Sequence, residues 1–412
     1  MEVTDIQYKK SEIGVIPVDW EVKQLSTIGK FTKGQGIRKE EATIGEIPCI
    51  RYGELYTSHN DYIKEYFSFI SKETAKTARR LKPGDILFAG SGETKEEIGK
   101  CAAFIDNIEA YAGGDIVILS PVDVSPVFLG YLLNAQKIQK QKASKGQGDA
   151  IVHISANQLG SIQIPLPPTK SEQTAIATAL SDTDALIDNL EKLIAKKRNI
   201  KQGVMQELLK PKSNWKRKRL GETCEIFGRI GFRGYTIQDI VPEYEGAISL
   251  SPSNILDGEL NFNKCTFISW KKYEESPEIK LKVGDIVLVK TASIGKTALV
   301  KSLPGKTTLN PQIVVLKNIS VNNIFLSYLM GYKYIQDQIK EKVVGGVVPT
   351  LSQEQIAGFQ IFLPSREEQD YIAYFLSLID NDIETIKRKL NKYKMIKQGM
   401  MQALLTGKIR LV

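Results

Sequence analysis

Cysteine and histidine are scarce in this chain, which has four cysteines and two histidines among its 412 residues. The cysteines, Cys49, Cys101, Cys224 and Cys265, lie far apart and form no Cys-x-x-Cys spacing. A structural zinc site needs four nitrogen or sulfur ligands close together, so the sequence argues against one. Isolated cysteines are typical of small buried apolar groups, and we expect that role here.

Long apolar segments are also missing. No run approaches the roughly 18 uncharged residues that can span a bilayer, and residues 1–5 lack the basic and apolar regions of a signal peptide. We therefore expect a cytoplasmic protein without a membrane partner.

Motifs for catalysis are present only as fragments. The Gly295–Thr297 segment is similar to the end of a phosphate-binding loop, but Lys290 stands where that loop requires glycine. The Asn310–Ile313 segment differs from the Asn-Pro-Pro-aromatic motif of amino-methyltransferases at its third and fourth positions. The Glu-x-Lys spacing of Glu278–Lys280 lacks the further acidic ligands that a nuclease metal site needs. We predict a protein that is not an enzyme and needs no cofactor.

Positive charge is abundant. The formal net charge is +9 and the isoelectric point is about 9.0. Lysine and arginine gain affinity for phosphates by releasing counterions, so the charge suggests a polyanionic partner. Charge alone does not decide between a protein that binds nucleic acid and a basic protein that has no acidic partner.

The most informative positive feature is an internal duplication. Residues 164–187 reappear as residues 361–383, with the shared pattern Pro…Glu-Gln…Ile-Ala…Leu-Ser…Asp…Ile. The match continues through residues 201–209 and 397–405. The period is far longer than the 20–50 residues of solenoid repeats, so each copy must contain a domain and a helix.

The repeated segments predict two long helices. Residues 172–209 contain no proline and carry apolar residues at steps of three, four and seven, and the second copy has the same stripe. A helix of about 38 residues would be roughly 57 Å long at 1.5 Å per residue. Such narrow apolar stripes are stable when two helices bury them against each other, so we predict a coiled coil.

The regions before the two helices have a common scaffold with different loops. Predicted strands at 84–88 and 116–119 correspond to those at 284–288 and 313–316, and segment 128–133 corresponds to 325–330. The intervening loops do not match. Divergent loops on a shared scaffold are expected of two readers of different targets, and equally of ordinary drift after duplication.

The chain resembles the specificity subunit of type I restriction-modification systems. The similarity is carried by the repeated Pro-to-Ile block, the closing Lys-Gln-Gly…Leu-Leu segments and the opening Gly14–Trp20 segment. The doubled order of globular region and helix covers essentially the whole chain. The second half keeps Trp215 but lacks the lead-in that precedes Trp20.

The resemblance implies an α+β protein with two similar mixed α/β target recognition domains, at 1–163 and 211–360. They are separated by two long helices, at 164–210 and 361–412, which form an antiparallel coiled coil with pseudo-twofold symmetry. Each domain would read half of a bipartite double-stranded DNA target. The helices would set the spacing and dock two modification subunits that carry the adenine methyltransferase, and a translocating restriction subunit could join them.

Candidate DNA contacts are polar side chains in the divergent loops. Arginine and lysine favour guanine, asparagine and glutamine favour adenine, and further polar groups hold phosphates. The candidates are Lys33, Gln35, Arg38, Lys39, Arg51, Tyr52, Arg229, Arg233, Tyr235, Ser253, Lys290, Thr291, Ser293 and Lys296. The glycine-containing segments 145–148 and 345–346 are interpreted either as loops at the same surface or as simple turns.

Two functions from other classes stay open at the sequence level. One is a DNA nuclease or methyltransferase with an unrecognised active site. The other is a coiled-coil adaptor whose globular parts bind something other than DNA. The basic residues of the long helices, such as Lys196, Lys197 and Lys392, fit either contact with the DNA backbone or simple solubility of a coiled coil.

Overall fold

The computed structural model describes residues 7–43, 45–148, 151–343 and 349–411. The Gly345-Gly346 pair lies outside these residues. The chain divides into two compact units, the first formed by Met1–Glu191 with Arg388–Val412 and the second by Lys192–Lys387. The boundary therefore falls within both long helices, so each unit contains parts of both.

The first unit contains fourteen named strands in the described residues, interrupted by short helices. The strands are β1 (Tyr8–Ser11), β2 (Gly14–Pro17), β3 (Glu21–Gln24), β4 (Gly29–Lys33), β5 (Ile47–Ile50), β6 (Ser68–Ile70), β7 (Arg79–Arg80), β8 (Ile86–Ala89), β9 (Ser91–Gly92), β10 (Cys101–Ala103), β11 (Tyr111–Ala112), β12 (Ile116–Pro121), β13 (Val152–His153) and β14 (Gln163–Leu166). The helices are α1 (Leu25–Ile28), α2 (Tyr52–Thr57), α3 (Lys72–Ala75), α4 (Pro126–Asn134), α5 (Gln136–Lys145), α6 (Ala156–Gly160) and the long α7 (Lys170–Leu208).

The second unit has a similar succession of elements. Its strands are β15 (Lys216–Arg219), β16 (Glu225–Gly228), β17 (Ile240–Val241), β18 (Ala247–Leu250), β19 (Ile255–Leu256), β20 (Glu259–Leu260), β21 (Thr266–Ile268), β22 (Ile286–Val289), β23 (Thr297–Leu299), β24 (Thr307–Leu309), β25 (Ile313–Lys317) and β26 (Gln360–Leu363). Its helices are α8 (Trp270–Glu274), α9 (Asn323–Gly331), α10 (Lys333–Val343), α11 (Gln353–Ala357) and the long α12 (Arg366–Leu404).

Each unit contains two four-stranded sheets. The first sheets have corresponding orders, β10-β8-β12-β4 and β23-β22-β25-β16. The second sheets are β6-β5-β11-β7 and β17-β21-β18-β24, in which β6-β5-β11 corresponds to β21-β18-β24 and the fourth strand lies at opposite edges. One pair in each second sheet is parallel, β5 with β11 and β18 with β24. The two units thus share one fold, and the predicted strand correspondences are confirmed.

The central strands are apolar on both faces because both faces are covered. All four residues of β8 and all four of β22 are buried. A strand covered on both sides reads as a continuous apolar run rather than as an alternation. In the second unit the loop that follows β22 carries the candidate contacts Lys290, Thr291 and Ser293.

The repeated Glu-Gln motif has a structural role in joining helix to domain. The Gln173 side chain accepts the Ser125 N–H at 2.9 Å and donates to the Pro167 carbonyl at 3.1 Å. In the second unit Gln369 accepts the Asn322 N–H at 3.0 Å. Because both glutamines are buried, these bonds satisfy backbone groups at the start of α4 and α9 that would otherwise be unpaired.

The two long helices are each 39 residues, close to the predicted length. Their antiparallel pairing is visible inside each unit. In the first unit Lys394 pairs with Glu191 at 2.7 Å, and Thr183 contacts the Met400 sulfur at 3.5 Å. In the second unit Lys197 pairs with Asp382 at 2.9 Å. The predicted fold class, two mixed α/β parts with two long helices, is confirmed.

None of the helices in the described part of the chain combines the length and apolar character needed to cross a membrane.

Candidate nucleic-acid interface

In the first unit the loops that follow β4, β5 and β11 meet around Gly113. The Gly113 N–H donates to the Ile50 carbonyl at 2.9 Å, and the Gly34 N–H donates to the Ile116 carbonyl at 2.9 Å. A Cβ atom on Gly34 would lie 1.9 Å from the Gly113 carbonyl oxygen, so only glycine allows this approach. The close contact brings Lys33 and its neighbours beside the end of β5.

A cleft of about 780 Å³ opens next to this junction. The Lys33 ammonium lies 3.9 Å from the Asp115 carboxylate, and the Lys33 side chain is 71% exposed. On another part of the lining, His153 Nδ1 lies 2.9 Å from the Ser91 hydroxyl. The cleft therefore presents a cation, a carboxylate, an imidazole and a hydroxyl, which together can donate to and accept from base edges.

The remaining predicted residues of the first unit lie on the adjoining surface. Gln35 is exposed and donates to the Thr77 carbonyl at 3.1 Å. Arg38 and Lys39 are exposed in the next turn. Arg51 and Tyr52 lie at the start of α2, where Arg51 is half-buried and Tyr52 is 42% exposed.

Sequence reasoning missed Arg79. Its Nε donates to the Lys33 carbonyl at 3.2 Å, and both Arg79 and Arg80 are exposed on β7. This strand pairs with β11 and so lies beside the Gly113 junction. The adjacent pair of arginines was the available signal, but no repeat or motif connected it with the divergent loops.

In the second unit the predicted DNA contact Arg229 is buried within its loop. Arg229 is 4% exposed, and its Nε donates to the Leu309 carbonyl at 3.0 Å. A second guanidinium nitrogen donates to the Thr308 hydroxyl at 3.3 Å, and the Tyr235 ring lies 5.5 Å away. Its hydrogen bonds hold the loop after β16 against β24, because a buried guanidinium needs such partners.

The hairpin between β22 and β23 carries four of the predicted residues. The Lys290 N–H donates to the Gln312 carbonyl at 2.8 Å, and Val289 N–H donates to the Lys296 carbonyl at 2.9 Å. The Thr291 hydroxyl lies 3.3 Å from that of Thr350. Ser293 and Lys296 are exposed, and Lys290 and Thr291 are half-buried. The hairpin thus presents two lysines and two hydroxyls from a rigid pair of strands.

The other predicted residues of the second unit have defined surroundings. Tyr235 accepts a hydrogen bond from Ser249 at 3.1 Å. Arg233 lies 3.6 Å from Glu278, so the acidic residue of the Glu-x-Lys segment forms an ion pair. Ser253 is exposed just after β18, with its hydroxyl 2.7 Å from that of Ser251.

The two units build these surfaces with the same backbone bonds. Gly113 N–H to Ile50 carbonyl corresponds to Asn310 N–H to Leu250 carbonyl, both at 2.9 Å. The Gly90 bond to the Asp115 carbonyl, 2.7 Å, corresponds to the bond from Lys290 to Gln312.

The side chains at these equivalent positions differ. Glycine at 90 corresponds to Lys290, glycine at 113 to Asn310, and Asp115 to Gln312. The Asn310 amide donates to the Gln312 side-chain oxygen at 3.1 Å. From the sequence, the Asn310–Ile313 segment is notable only for its departure from a methyltransferase motif. Its position beside the hairpin is seen only in the structure.

Histidine, cysteine and acidic side chains are the groups that could hold a metal ion, and free thiols are potential nucleophiles. Within the described ranges no group of three or more histidine, cysteine or acidic side chains is arranged to hold a metal ion. Burial raises the pKa of Cys49, Cys101 and Cys224 to about 12, which keeps these thiols protonated. All three are buried as predicted, whereas Cys265 is half-buried.

Rigid sheets that carry exposed polar loops, present twice and joined to long helices, define a recognition protein with two separate reading surfaces. The family described as the type I restriction modification DNA specificity domain matches the chain twice, over residues 17–199 and 212–394. The chain belongs to this family and carries two of its domains in tandem. This membership confirms the predicted resemblance and the prediction of a DNA-recognition subunit rather than an enzyme.

Individual relatives match over nearly their full length. The putative type I restriction enzyme MjaX specificity subunit of Methanocaldococcus jannaschii is 29% identical over 422 residues, covering 98% of this chain and 96% of the relative. The EcoKI specificity subunit of Escherichia coli is 21% identical over 429 residues, covering 96% and 90%. The crystal structure of the type I S subunit from M. genitalium has a TM-score of 0.61 at 17% identity and 98% coverage of both chains, which shows the same fold.

Proposed function

We propose that this chain is the DNA-specificity subunit of a type I restriction-modification complex. The regions 1–163 and 211–360 each read one half of a bipartite duplex target. The helical regions 164–210 and 361–412 set the distance between the halves.

The observation that carries the proposal is the pair of matched surfaces. Equivalent backbone hydrogen bonds hold the loops in both units, yet the side chains at equivalent positions differ in charge and hydrogen-bonding capacity. Phosphate contacts position a protein on DNA, and base contacts specify the sequence. A common frame with unlike side chains suits two readers that share a mode of docking and differ in the bases they accept.

The proposed contacts are the exposed and half-exposed groups of these surfaces. Lysines and arginines would approach guanine or phosphates, and the amides of Gln35 and Gln312 suit adenine. Arg229 supports its loop from inside. The set is completed by Lys33, Arg38, Lys39, Arg51, Tyr52, Arg233, Tyr235, Ser253, Lys290, Thr291, Ser293 and Lys296.

The proposed partners are double-stranded DNA and two modification subunits that supply the adenine methyltransferase. These subunits would dock on the paired helices. A restriction subunit that translocates DNA joins the same assembly where the system cleaves DNA.

A domain exchange tests this function. The chain is produced with its modification subunit, and the methylated motif is read by sequencing genomic DNA. We expect a bipartite motif, and replacement of residues 1–163 by the corresponding region of a relative should change one half of it. A motif in which both halves change, or neither, contradicts the proposal.

The enzymatic alternative has its own outcome in the same preparation. Purified chain without partner subunits should bind DNA with strong salt dependence and leave it unmodified. Methyl transfer from S-adenosylmethionine, or Mg²⁺-dependent cleavage, by the purified chain alone would favour an enzyme instead.

A further inference from the structure

One half-buried carboxylate in each unit bonds three structural elements together. In the first unit the Tyr131 hydroxyl of α4 donates to Asp184 of α7 at 2.6 Å. The other oxygen of Asp184 lies 2.7 Å from the Lys397 ammonium of α12. The same ammonium lies 5.3 Å from the centre of the Tyr131 ring. We call this set the Tyr-Asp-Lys junction.

The second unit repeats the junction with the long helices in exchanged roles. Tyr328 of α9 donates to Asp380 of α12 at 2.7 Å, and Lys201 of α7 lies 2.6 Å from the other oxygen. The Lys201 ammonium lies 5.1 Å from the Tyr328 ring centre. Each long helix therefore supplies the aspartate of one unit and the lysine of the other.

The junctions are largely shielded from water, which makes them stronger than surface ion pairs. The Asp184 and Lys397 side chains are 13% and 21% exposed, and those of Asp380 and Lys201 are 22% and 24% exposed. Burial alone would lower the pKa of Lys397, but the nearby carboxylates of Asp61 and Asp184 raise it above its ordinary value. The lysine thus stays charged, and charge-assisted hydrogen bonds contribute more than neutral ones.

Rigid contacts connect the first junction to the cleft. Asn134, at the end of α4, accepts the Cys101 N–H at 3.1 Å and donates to the Cys101 carbonyl at 2.8 Å. Cys101 begins β10, which pairs with β8, and β8 leads directly into Gly90 and Ser91 of the cleft. In the second unit α9 packs on β23, one strand of the hairpin that presents Lys296.

We infer that Asp184 and Asp380 are positioning residues, each of which fixes the orientation of its recognition loops relative to the paired helices. The inference rests on the proposed function and extends it to spacing. The junction does not contact bases. By fixing the orientation of the recognition loops, it controls how strongly the complex prefers the native separation of the half-sites. One added base pair shifts a half-site by about 3.4 Å, which only a flexible attachment can follow.

Asp184→Asn tests the inference in the complex with modification subunits. The amide keeps the shape but can no longer accept from both Tyr131 and Lys397. Methylation rates are compared on duplexes with the native spacer and with one base pair added or removed. We expect the preference for the native spacer to fall about tenfold, which is about 1.4 kcal/mol. The bases required in each half-site should not change.

The matched control is Asp188→Asn, one helical turn further along α7. Asp188 pairs with Lys64 at 2.8 Å, but its side chain is 45% exposed. An exposed pair contributes little, so this variant should keep the wild-type spacer preference. Tyr131→Phe removes only the hydroxyl and provides a second variant if Asp184→Asn fails to fold. Unchanged spacer preference in the folded junction variants would overturn the inference.

A measurement without DNA separates this inference from the proposed function. Spin labels are placed by Lys140→Cys on α5 and Asn189→Cys on α7, both exposed positions of the first unit, with Cys265→Ser to remove the half-buried thiol. We expect one narrow distance distribution in the parent and a broader one with Tyr131→Phe. Wild-type protein that yields no bipartite motif would refute the proposed function, whereas equal distributions would refute the positioning role.

Discussion

At the scale of single residues, Lys142 is the most unusual feature of the first unit. Its side chain is fully buried on α5 and donates to the Gly99 carbonyl at 2.7 Å. Burial lowers the pKa of Lys142 from 10.5 to about 8. The second unit has Ile339 at the equivalent position, since the neighbouring glutamines Gln141 and Gln338 make matching bonds to β14 and β26. The shared fold therefore accepts an apolar side chain here.

We predict that Lys142→Ile stabilises the first unit at pH 7. A pKa lowered from 10.5 to about 8 corresponds to about 3 kcal/mol against the charged form. The Gly99 carbonyl loses its partner, so we expect a net gain in the free energy of unfolding of about 2 kcal/mol. Hydrogen exchange of the β10 amides measures it, and Lys140→Ile, an exposed change on the same helix, should have no such effect.

The same variant should change the pH dependence of stability. Between pH 8 and 10.5 the Lys142 side chain is protonated in the unfolded chain and largely neutral in the folded chain. The contribution of Lys142 to the free energy of unfolding of the wild type therefore rises with pH in that window. Lys142→Ile removes that rise of about 3 kcal/mol, so the advantage of the variant should shrink through the window, and the wild type should be about 1 kcal/mol more stable above it. A variant that is less stable than wild type at pH 7 would show that the hydrogen bond to Gly99 outweighs the cost of burial.

Single residues also mark the limit of what the sequence could predict. Lys33 lies at the end of β4, and Lys290 and Lys296 lie between β22 and β23, close to where the sequence places them, because strands and turns have local signals. Arg229 looks equally exposed in the sequence, and only the approach of β24 from far along the chain buries it. Asn310 and Asp115 acquire their places through pairing of distant strands, which no local pattern reveals.

At the scale of elements, the two long helices are the best predicted part of the molecule. Their apolar steps identified residues that the structure buries, among them Leu180 and Leu376. The helices could be predicted because a 3.6-residue period persists over many turns. The sheets were predicted only as short matched strands, since the parallel pairing of β5 with β11 and of β18 with β24 depends on sequence-distant segments.

The buried apolar stripes of the two long helices should stabilise each unit separately. Leu180 and Leu376 are fully buried, the former in the core of the first unit and the latter in that of the second. Leu→Ala at a buried site costs about 2–5 kcal/mol. We expect Leu180→Ala to accelerate hydrogen exchange mainly in the first unit and Leu376→Ala mainly in the second. Leu186→Ala, at a position 37% exposed on the same helix, should have a small effect.

An equal loss of protection in both units after either change would contradict this prediction. It would mean that the molecule unfolds as a single cooperative block, although the core residues fall into separate clusters. The experiment therefore measures how independently the two copies of the fold keep their structure.

At the scale of the whole molecule, duplication explains why one chain can recognise a divided target. Each copy keeps the backbone bonds that support its loops, while the loop side chains have diverged. Two weak readers on one chain bind more tightly than either alone, because the second contact becomes intramolecular. The proposed function therefore requires that the binding energy of each unit depend on the bases of one half-site and not on those of the other.

A thermodynamic cycle between protein and DNA tests this division. Lys33→Ala alters the first unit and Lys296→Ala the second. The binding free energy of each variant is measured on the intact duplex and on duplexes with one half-site scrambled. We expect each variant to be energetically coupled to one half-site, a different one for each lysine. Where the lysine contacts a phosphate, the slope of log affinity against log salt should fall by about 1.

The control is Lys301→Ala, which changes an equally basic surface residue of the second unit. Lys301 lies two residues beyond β23, at the opposite end of that strand from Lys296, and pairs with Glu259 at 3.0 Å. It should leave affinity and salt slope close to wild type. If Lys33 and Lys296 were coupled to the same half-site, the two units could not be reading separate halves, because a contact contributes binding energy only where its own partner bases are present.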